Sequence, residues 1–193
     1  MSDVQIILND LENPDDIENL DQLYDIFTTK IYMENRFGLS AADLTRFLFE
    51  QGITLKEILD DVRNIYPYMF TNLNEVSGNM ILPRHVEYLC KRAFTGSNIT
   101  SLKCNVTFIS PGAFSYNRKL ETLEITSKSG LTILRKAFFN CSSLREVTLN
   151  VPSLVIHETA FDGCKKLILN IPESCALDRD FNLLNSLVEI KRT

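Results

Sequence analysis

The dipeptide Ala-Phe recurs four times, at nearly constant spacing, in the second half of this 193-residue chain. The intervals between successive pairs are 20, 24 and 23 residues, and the pairs are Ala93-Phe94, Ala113-Phe114, Ala137-Phe138 and Ala160-Phe161. An aliphatic residue precedes each alanine by four positions, and a small residue follows each phenylalanine by three. Such a fixed period is typical of proteins built from stacked repeats. The pattern therefore predicts a solenoid.

A short run of alternating aliphatic and polar residues follows each Ala-Phe pair. The runs occupy residues 99–104, 120–125, 144–149 and 167–171. Alternation with a period of two gives a strand with one buried face and one outward face, and stacked units place such strands side by side. One unit cannot bury its own leucine, alanine and phenylalanine, whereas four stacked units can. We therefore predict a solenoid of about four units with a parallel β-sheet.

The outward positions of these strands form a candidate protein-binding site. Alternation turns the leucine or valine at the centre of each strand inward, so the residues on either side of it face outward. Aligning the strands from their ends gives two outward columns, Ser101, Thr122, Glu146 and Ile168 in the first, and Lys103, Glu124, Thr148 and Asn170 in the second. Since neighbouring strands lie about 4.8 Å apart, these columns form a nearly flat patch roughly 15 Å long. The alternative is a plain solvated sheet, or a sheet covered by another part of the chain.

The repeat unit resembles the BspA-like class of leucine-rich repeats over about residues 81–171. Its core sequence, Ala-Phe-x-x-Cys-x-x-Leu, occurs at 137–144 and 160–167, and Ser97 and Asn117 replace the cysteine in the two preceding units. The resemblance implies a solenoid that binds other proteins or surfaces and uses no cofactor. The best-known members of the class are surface adhesins.

The first 80 residues have helical rather than strand periodicity. Asn13 and Pro14 are typical of a helix N-terminus, and apolar residues then recur on one face of the helix until Gly38 ends it. A second helix is predicted to begin after Ser40, and a third after Thr54, where Thr-x-x-Glu forms a capping box. We therefore expect helices that pack against the first repeat.

These segments define the expected organisation of the chain. The fold class is α+β, with an N-terminal α-helical domain followed by a short leucine-rich-repeat solenoid that contains a parallel β-sheet. The predicted boundaries are 1–80 for an acidic helical domain acting as a cap or anchor, 81–171 for the solenoid, and 172–193 for a C-terminal cap over the last repeat.

Charge is distributed unevenly along the chain. Residues 1–80 contain 15 acids and 5 bases, whereas residues 81–193 contain 10 acids and 15 bases. The two halves either dock on each other or offer faces to partners of opposite sign. Within the repeats, basic residues recur as adjacent pairs at Lys91-Arg92, Arg118-Lys119, Arg135-Lys136 and Lys165-Lys166. These pairs are either solvated surface or a contact for an anionic partner, such as an acidic protein.

Residues with catalytic or metal-binding chemistry are sparse. Neither His85 nor His157 has a cysteine or an acid at metal-ligand spacing. Cys141 and Cys164 share one repeat position, which is typical of thiols that fill a small internal slot. No glycine-rich phosphate loop, G-x-S-x-G elbow or H-E-x-x-H motif occurs in the sequence. We therefore predict no catalytic residue, no metal site, no cofactor and no enzymatic activity.

Nucleic acid and membrane are not the expected partners. Residues 51–54 could form the turn of a helix-turn-helix, but the following helix carries Glu57, Asp60 and Asp61 and so repels phosphate. No stretch approaches the roughly 18 to 20 apolar residues of a membrane span. The N-terminus lacks the features of a secretory signal. We expect a protein that is cytoplasmic, or part of an assembly made inside a cell, and not secreted by a signal peptide.

The expected function is non-enzymatic binding of another protein through a rigid leucine-rich-repeat surface, as an adaptor or an inhibitor. A rigid strand face needs little ordering on contact, so it loses less entropy than a loop would. The alternative is a structural component of a larger assembly, such as a virus particle or a bacterial complex.

Overall fold

The computed structural model describes residues 4, 5, 8, 17–33, 39–178 and 188–193. The predicted helix signals at Asn13, Pro14 and Gly38 lie outside these residues. Helices come first, as α1 (Leu20–Met33), α2 (Ala41–Glu50) and α3 (Leu55–Asp61). The strands that follow are β1 (Asn64–Ile65), β2 (Ser77–Ile81), β3 (Tyr88–Leu89), β4 (Asn98–Cys104), β5 (Phe108–Ile109), β6 (Thr122–Thr126), β7 (Leu131–Ile133), β8 (Glu146–Asn150), β9 (Ser153–Ile156), β10 (Leu167–Ile171), β11 (Ala176–Leu177) and β12 (Val188–Arg192).

Helix α1 begins later than the sequence predicts. Residues 17–19 are not helical, although the predicted apolar face includes the first of them. The side-chain oxygen of Asn19 accepts a hydrogen bond from the backbone N–H of Gln22 at 2.9 Å, and Gln22 Oε1 accepts one from the backbone N–H of Glu18 at 2.9 Å. These reciprocal bonds satisfy N–H groups that a helix N-terminus leaves unpaired. Asn19 therefore sets the start of α1.

The predicted starts of α2 and α3 are confirmed. The carboxylate of Asp43 accepts a hydrogen bond from the backbone N–H of Ser40 at 2.8 Å. Likewise, Glu57 accepts from the backbone N–H of Thr54 at 2.8 Å, and the Thr54 hydroxyl accepts from the backbone N–H of Glu57 at 3.2 Å. Such reciprocal bonds fix a helix N-terminus from local sequence alone.

The strands form two parallel sheets, whereas the sequence predicts one. The long-strand sheet has the order β12-β10-β8-β6-β4-β2, and the short-strand sheet has the order β1-β3-β5-β7-β9-β11. Four of the short strands end at the aliphatic residues that precede each alanine by four positions, Leu89, Ile109, Ile133 and Ile156. These strands contain two to four residues. So short a run cannot display a clear alternation, and the sequence therefore does not reveal the second sheet.

Five stacked phenylalanine rings run through the core of the solenoid. Neighbouring ring centroids lie 5.1 to 5.3 Å apart, and the rings belong to Phe70, Phe94, Phe114, Phe138 and Phe161. The backbone N–H of each of the first four donates to the carbonyl of the alanine in the next unit at 2.8 Å. Each ring thus packs against its neighbours while its backbone is hydrogen-bonded to the following repeat, so the units stabilise one another.

The solenoid begins earlier than the predicted boundary at Ile81. Phe70 occupies the position of the phenylalanine in the Ala-Phe pairs, and Met69 stands where the alanine would be. Ile65 precedes Met69 by four residues and ends β1, as the equivalent residues of the later units end their strands. Because methionine replaces alanine, the dipeptide pattern does not mark this unit. The strands therefore begin at Asn64, within the segment predicted to be helical.

Two backbone positions of the turn segments adopt the left-handed conformation, one in the first four segments and the other in all five. One directly precedes the alanine or methionine, has φ between 55° and 67°, and is occupied by Tyr68, Arg92, Gly112 and Lys136. The other follows the phenylalanine by two residues, has φ between 53° and 75°, and is occupied by Asn72, Gly96, Tyr116, Asn140 and Gly163. For a residue with a Cβ atom this conformation costs roughly 1 to 2 kcal/mol. The repeat therefore tolerates backbone strain wherever glycine is absent.

The helices pack directly on the first unit of the solenoid. The hydroxyl of Tyr24 lies 2.6 Å from the hydroxyl of Thr45, which in turn donates to the carbonyl of Met69 at 2.8 Å. The rings of Tyr24 and Tyr66 stack with their centroids 5.7 Å apart. Buried residues from the helices to the last repeat form one continuous cluster. The helices and the repeats therefore share a single core.

The C-terminal segment extends both sheets. Strand β11 pairs with β9, and β12 pairs with β10 over five residues. The guanidinium of Arg192 donates to the carbonyl of Glu173 at 2.8 Å, which joins the end of the chain to the segment after β10. Among the described residues, no strand pairs with the outer edge of β12. That residues 172–193 act as a cap stays a prediction.

Candidate functional site

The eight residues of the predicted site lie in two adjacent columns on the long-strand sheet. Across the four strands, the register aligns Ser101, Thr122, Glu146 and Ile168 in one column, and Lys103, Glu124, Thr148 and Asn170 in the other. We call these eight residues the column surface. Between the columns, the central residues Leu102, Leu123, Val147 and Leu169 are at most 2% exposed. The two columns therefore face away from the core.

Side chains of the column surface contact one another across strands. The ammonium of Lys103 lies 2.6 Å from a carboxylate oxygen of Glu124. The amide of Asn170 donates to Glu146 at 3.0 Å and to the Thr148 hydroxyl at 3.3 Å. Exposed pairs of this kind stabilise a fold by about 1 kcal/mol at most. Their main effect is to hold the polar groups in fixed directions.

Both columns extend beyond the residues that the sequence indicates. At one end, Asn79 pairs with Ser101 in register, and its side-chain oxygen accepts a hydrogen bond from the Ser101 hydroxyl at 2.9 Å. Ile81 lies beside Lys103 in the other column and is 72% exposed. At the opposite end, Glu189 and Lys191 of β12 continue the columns. Sequence reasoning missed Asn79 and Ile81 because β2 crosses the predicted boundary at residue 80, so it was not recognised as a strand of the repeats.

The N-terminal part of the column surface borders a shallow concavity of about 470 Å³. It is lined by residues of β2, β4, β6 and β8, including Asn79, Ile81 and six of the eight predicted residues. Ile168 and Asn170 lie outside it. The concavity therefore places the exposed side chain of Ile81 beside polar side chains that contact one another, such as Asn79 with Ser101 and Lys103 with Glu124.

The thiols of Cys141 and Cys164 are buried and hydrogen-bonded. Cys141 Sγ donates to the carbonyl of Phe114 at 3.0 Å, and Cys164 Sγ donates to that of Phe138 at 3.1 Å. Burial raises the pKa of Cys141 well above its usual value and raises the pKa of Cys164 to about 12. Because the reactive form of cysteine is the thiolate, these thiols are poor nucleophiles at neutral pH.

The histidines are engaged with the backbone of the solenoid and its helices. His85 Nε2 lies 3.1 Å from the carbonyl of Leu59, and His157 Nδ1 accepts a hydrogen bond from the backbone N–H of Thr159 at 3.2 Å. Within the described residues, no group of three or more His, Cys, Asp or Glu side chains could hold a metal ion. No helix in that part of the chain is both long and apolar enough to cross a membrane.

Comparison with known proteins gives one match. A family model described as a BspA type leucine-rich-repeat region matches residues 44–177 in six copies. No curated protein and no solved structure matches the chain. The matched region begins before residue 81 and includes the unit that contains Phe70, in agreement with the early start of the strands.

Proposed function

The chain belongs to the BspA-type leucine-rich-repeat family, and from that premise we propose that it is a non-enzymatic adaptor or inhibitor that binds another protein through the column surface. Leucine-rich repeats commonly mediate protein binding. The supporting observation is the alignment of outward side chains in two columns whose members hydrogen-bond across strands. A partner can bind such a surface without rearranging its side chains.

Preorganisation is the physical basis of this proposal. Side chains that are already fixed lose little rotamer freedom when a partner binds, so more of the contact free energy appears as affinity. Parallel strands on both sides hold the central strands of the long-strand sheet. Ile81, exposed at the rim of the concavity, offers an apolar contact beside polar groups that can set specificity.

The proposal is tested by placing two bulky cations on the column surface. We expect that Glu124→Arg combined with Thr148→Arg abolishes capture of the native partner. The change replaces the ion pair between Glu124 and Lys103 with two like charges, and the bulky arginines cover neighbouring polar side chains. Stability should fall by about 1 kcal/mol or less, since both residues lie on an outward face. Affinity capture from the native source with mass spectrometry measures the first effect, and thermal melting measures the second.

A control introduces two arginines on the other sheet. Thr132 and Val155 are aligned neighbours on β7 and β9, and neither is buried. Thr132→Arg combined with Val155→Arg should leave capture of the partner unchanged. Capture by the Glu124 and Thr148 double variant at wild-type strength would place the partner elsewhere, and the acidic helix α1 would be the next surface to examine.

A role as a component of a larger assembly is the second candidate function. The outer edge of β12 has no strand partner within the described residues, and Ile190 on this strand is 41% exposed. Unpaired strand edges are sites at which another chain can add a strand. Light scattering of the isolated protein separates the two functions, because a stable monomer supports the adaptor and concentration-dependent growth of particles supports the assembly component.

A further inference from the structure

A groove on the turn segments of the solenoid brings two of the basic pairs together. Lys91-Arg92 and Arg135-Lys136 are separated by more than 40 residues in the sequence, yet they line one groove of about 650 Å³. Tyr116 and Phe139 lie in the same groove, and none of the described residues that line it is acidic. We call this the basic groove, and it shares no residue with the column surface.

The four cations of the basic groove have no ion-pair partner among the described residues. By contrast, Lys103 and Lys166 elsewhere each pair with a glutamate. The Lys136 ammonium instead lies over the ring of Phe139, 5.4 Å from its centroid. Four cations gathered in one concave site repel one another unless an anion is present. This arrangement therefore favours a negatively charged ligand.

Three residues of the groove have strained backbone conformations. Arg92, Tyr116 and Lys136 adopt left-handed backbone conformations with φ of 56°, 62° and 55°. In other repeats, Gly112 occupies the position equivalent to Arg92 and Lys136, and Gly96 and Gly163 occupy the position equivalent to Tyr116. Glycine adopts this conformation without steric strain. Non-glycine residues also occupy equivalent positions outside the groove, at Tyr68, Asn72 and Asn140, so the strain supports a role for Arg92 and Lys136 only together with their place in the groove.

The spacing of the turn segments that carry the cations limits the shape of the ligand. Arg92 and Lys136 lie on turn segments two repeats apart, which corresponds to roughly 10 Å at the usual strand spacing. Between them, Gly112 contributes only backbone, and the Arg92 side chain passes close above it, with Cγ 3.3 Å from where a Cβ at 112 would stand. The two basic pairs thus stand on turn segments two repeats apart, with the Arg92 side chain reaching over the segment between them, which suits an extended chain with two anionic clusters.

We propose that the basic groove binds an extended acidic peptide segment of a partner protein, with two carboxylate clusters about 10 Å apart. Arginine and lysine side chains would contact these carboxylates through charge-assisted hydrogen bonds. Tyr116, 45% exposed, would contact an apolar side chain between the clusters. This site is independent of the column surface, so the two proposals can fail separately.

A peptide fits the groove better than a single-stranded nucleic acid does. Binding of single strands usually relies on aromatic faces on which bases stack. Here Phe139 has Lys136 over its face, and its ring meets Tyr116 edge to face at 84°, with centroids 5.4 Å apart. The chain as a whole carries a net charge of −5, which opposes the approach of a long polyanion. A short acidic segment needs only the local positive charge.

Fluorescence polarisation with the full-length chain tests the proposal. The probe is a fluorescein-labelled peptide of about ten residues that carries two Glu-Glu pairs about three residues apart, which spans the required distance in an extended chain. The reference probes are the same peptide with glutamine in place of glutamate, and a labelled oligothymidine. We expect the acidic peptide to bind at least tenfold more tightly than either reference.

Two variants assign the binding to the groove. Arg92→Gly combined with Lys136→Gly relieves strain at both left-handed positions, so the fold should keep a melting temperature close to that of the wild type while peptide affinity falls at least tenfold. Lys91→Gln combined with Arg135→Gln should also weaken binding, and this variant removes two charges without introducing glycine. The matched control, Arg118→Gln combined with Lys119→Gln, removes the same charge from a basic pair outside the groove and should alter affinity less than threefold.

Several outcomes would overturn the proposal. Equal binding of the acidic and the glutamine peptides would exclude recognition of carboxylates. Equal losses in the control and groove variants would assign any binding to overall charge. Tighter binding of oligothymidine that is lost in the glycine variant would make the groove a nucleic-acid site, and self-association lost in that variant would make the occupant a second copy of this chain. The Glu124 and Thr148 double variant should bind the peptide normally, which separates this test from that of the column surface.

Discussion

At the scale of single residues, the stacked phenylalanines couple one repeat to the next. Phe114 lies between Phe94 and Phe138 with its ring nearly parallel to both, at interplanar angles of 3° and 1°. All three rings are fully buried. The neighbouring Phe139 has the same side chain but is partly exposed in the basic groove. Two adjacent phenylalanines of the same turn segment thus have different structural roles.

This difference predicts unequal costs of truncation. We expect Phe114→Ala or Phe138→Ala to lower the free energy of unfolding by about 3 to 5 kcal/mol, because each leaves a cavity between stacked repeats. Phe139→Ala should cost about 1 kcal/mol, since less of its ring is removed from water in the native state. Urea denaturation measures all three. Losses below roughly 1 kcal/mol at both buried positions would contradict the packing of the stacked phenylalanine rings.

At the scale of elements, glycine is favoured at left-handed positions for two separate reasons. Gly163 has φ +75°, and a Cβ added there would lie 2.0 Å from the side-chain oxygen of Asn140 on the preceding repeat. Gly96 has the same relation to Asn72, at 2.1 Å. By contrast, Gly52, between α2 and α3, has φ +87° with nothing within 4 Å of an added Cβ. Conformation alone requires glycine at 52, whereas conformation and close approach both require it at 163.

Alanine substitution separates these two requirements. Gly52→Ala should destabilise the protein by about 1 to 2 kcal/mol, because only the left-handed backbone is strained. Gly163→Ala should cost at least about 1 kcal/mol more, since the Asn140 side chain must also move away. Chemical denaturation of the two variants measures the difference. Equal costs would mean that Asn140 moves freely and that the close approach contributes nothing to the turn.

At the scale of the whole molecule, one core links the helices to every repeat. The buried cluster includes Tyr24 of α1 and residues of the last repeats, with no gap at the expected boundary near residue 80. Buried thiols are spread along this core at Cys104, Cys141 and Cys164. They therefore report on unfolding at several points of the solenoid.

Thiol labelling should show a single cooperative transition. Burial raises the pKa of Cys104 and of Cys164 to about 12, so both should stay unreactive in the native protein between pH 7 and pH 9. In increasing urea, Cys104, Cys141 and Cys164 should become reactive over the same concentration range, because they share one core. Mass spectrometry of the labelled peptides measures each site, with half-buried Cys90 as the more accessible reference. Labelling of Cys164 at much lower urea than Cys104 would indicate that the last repeats unfold separately.

The sequence by itself determined the features that depend on local pattern. The period of the Ala-Phe pairs predicted a solenoid, the Ala-Phe-x-x-Cys-x-x-Leu core carried the resemblance to the family, and alternation in each long strand gave the outward columns, from Ser101 to Asn170. The starts of α2 and α3 followed from Ser40 and Thr54, because a capping side chain bonds to backbone only three residues away. Each of these features is visible as a pattern along the chain, so no knowledge of spatial contacts is needed.

Only the tertiary structure decided which residues lie together on different repeats. It added the unit that contains Met69 and Phe70, because stacking on the next ring, rather than residue identity, makes this segment a repeat. It also brought Asn79 and Ile81 to the column surface, and gathered the first and third basic pairs in one groove. These neighbours depend on which left-handed turns and short strands align from one repeat to the next. That alignment arises from packing across repeats, which no local pattern specifies.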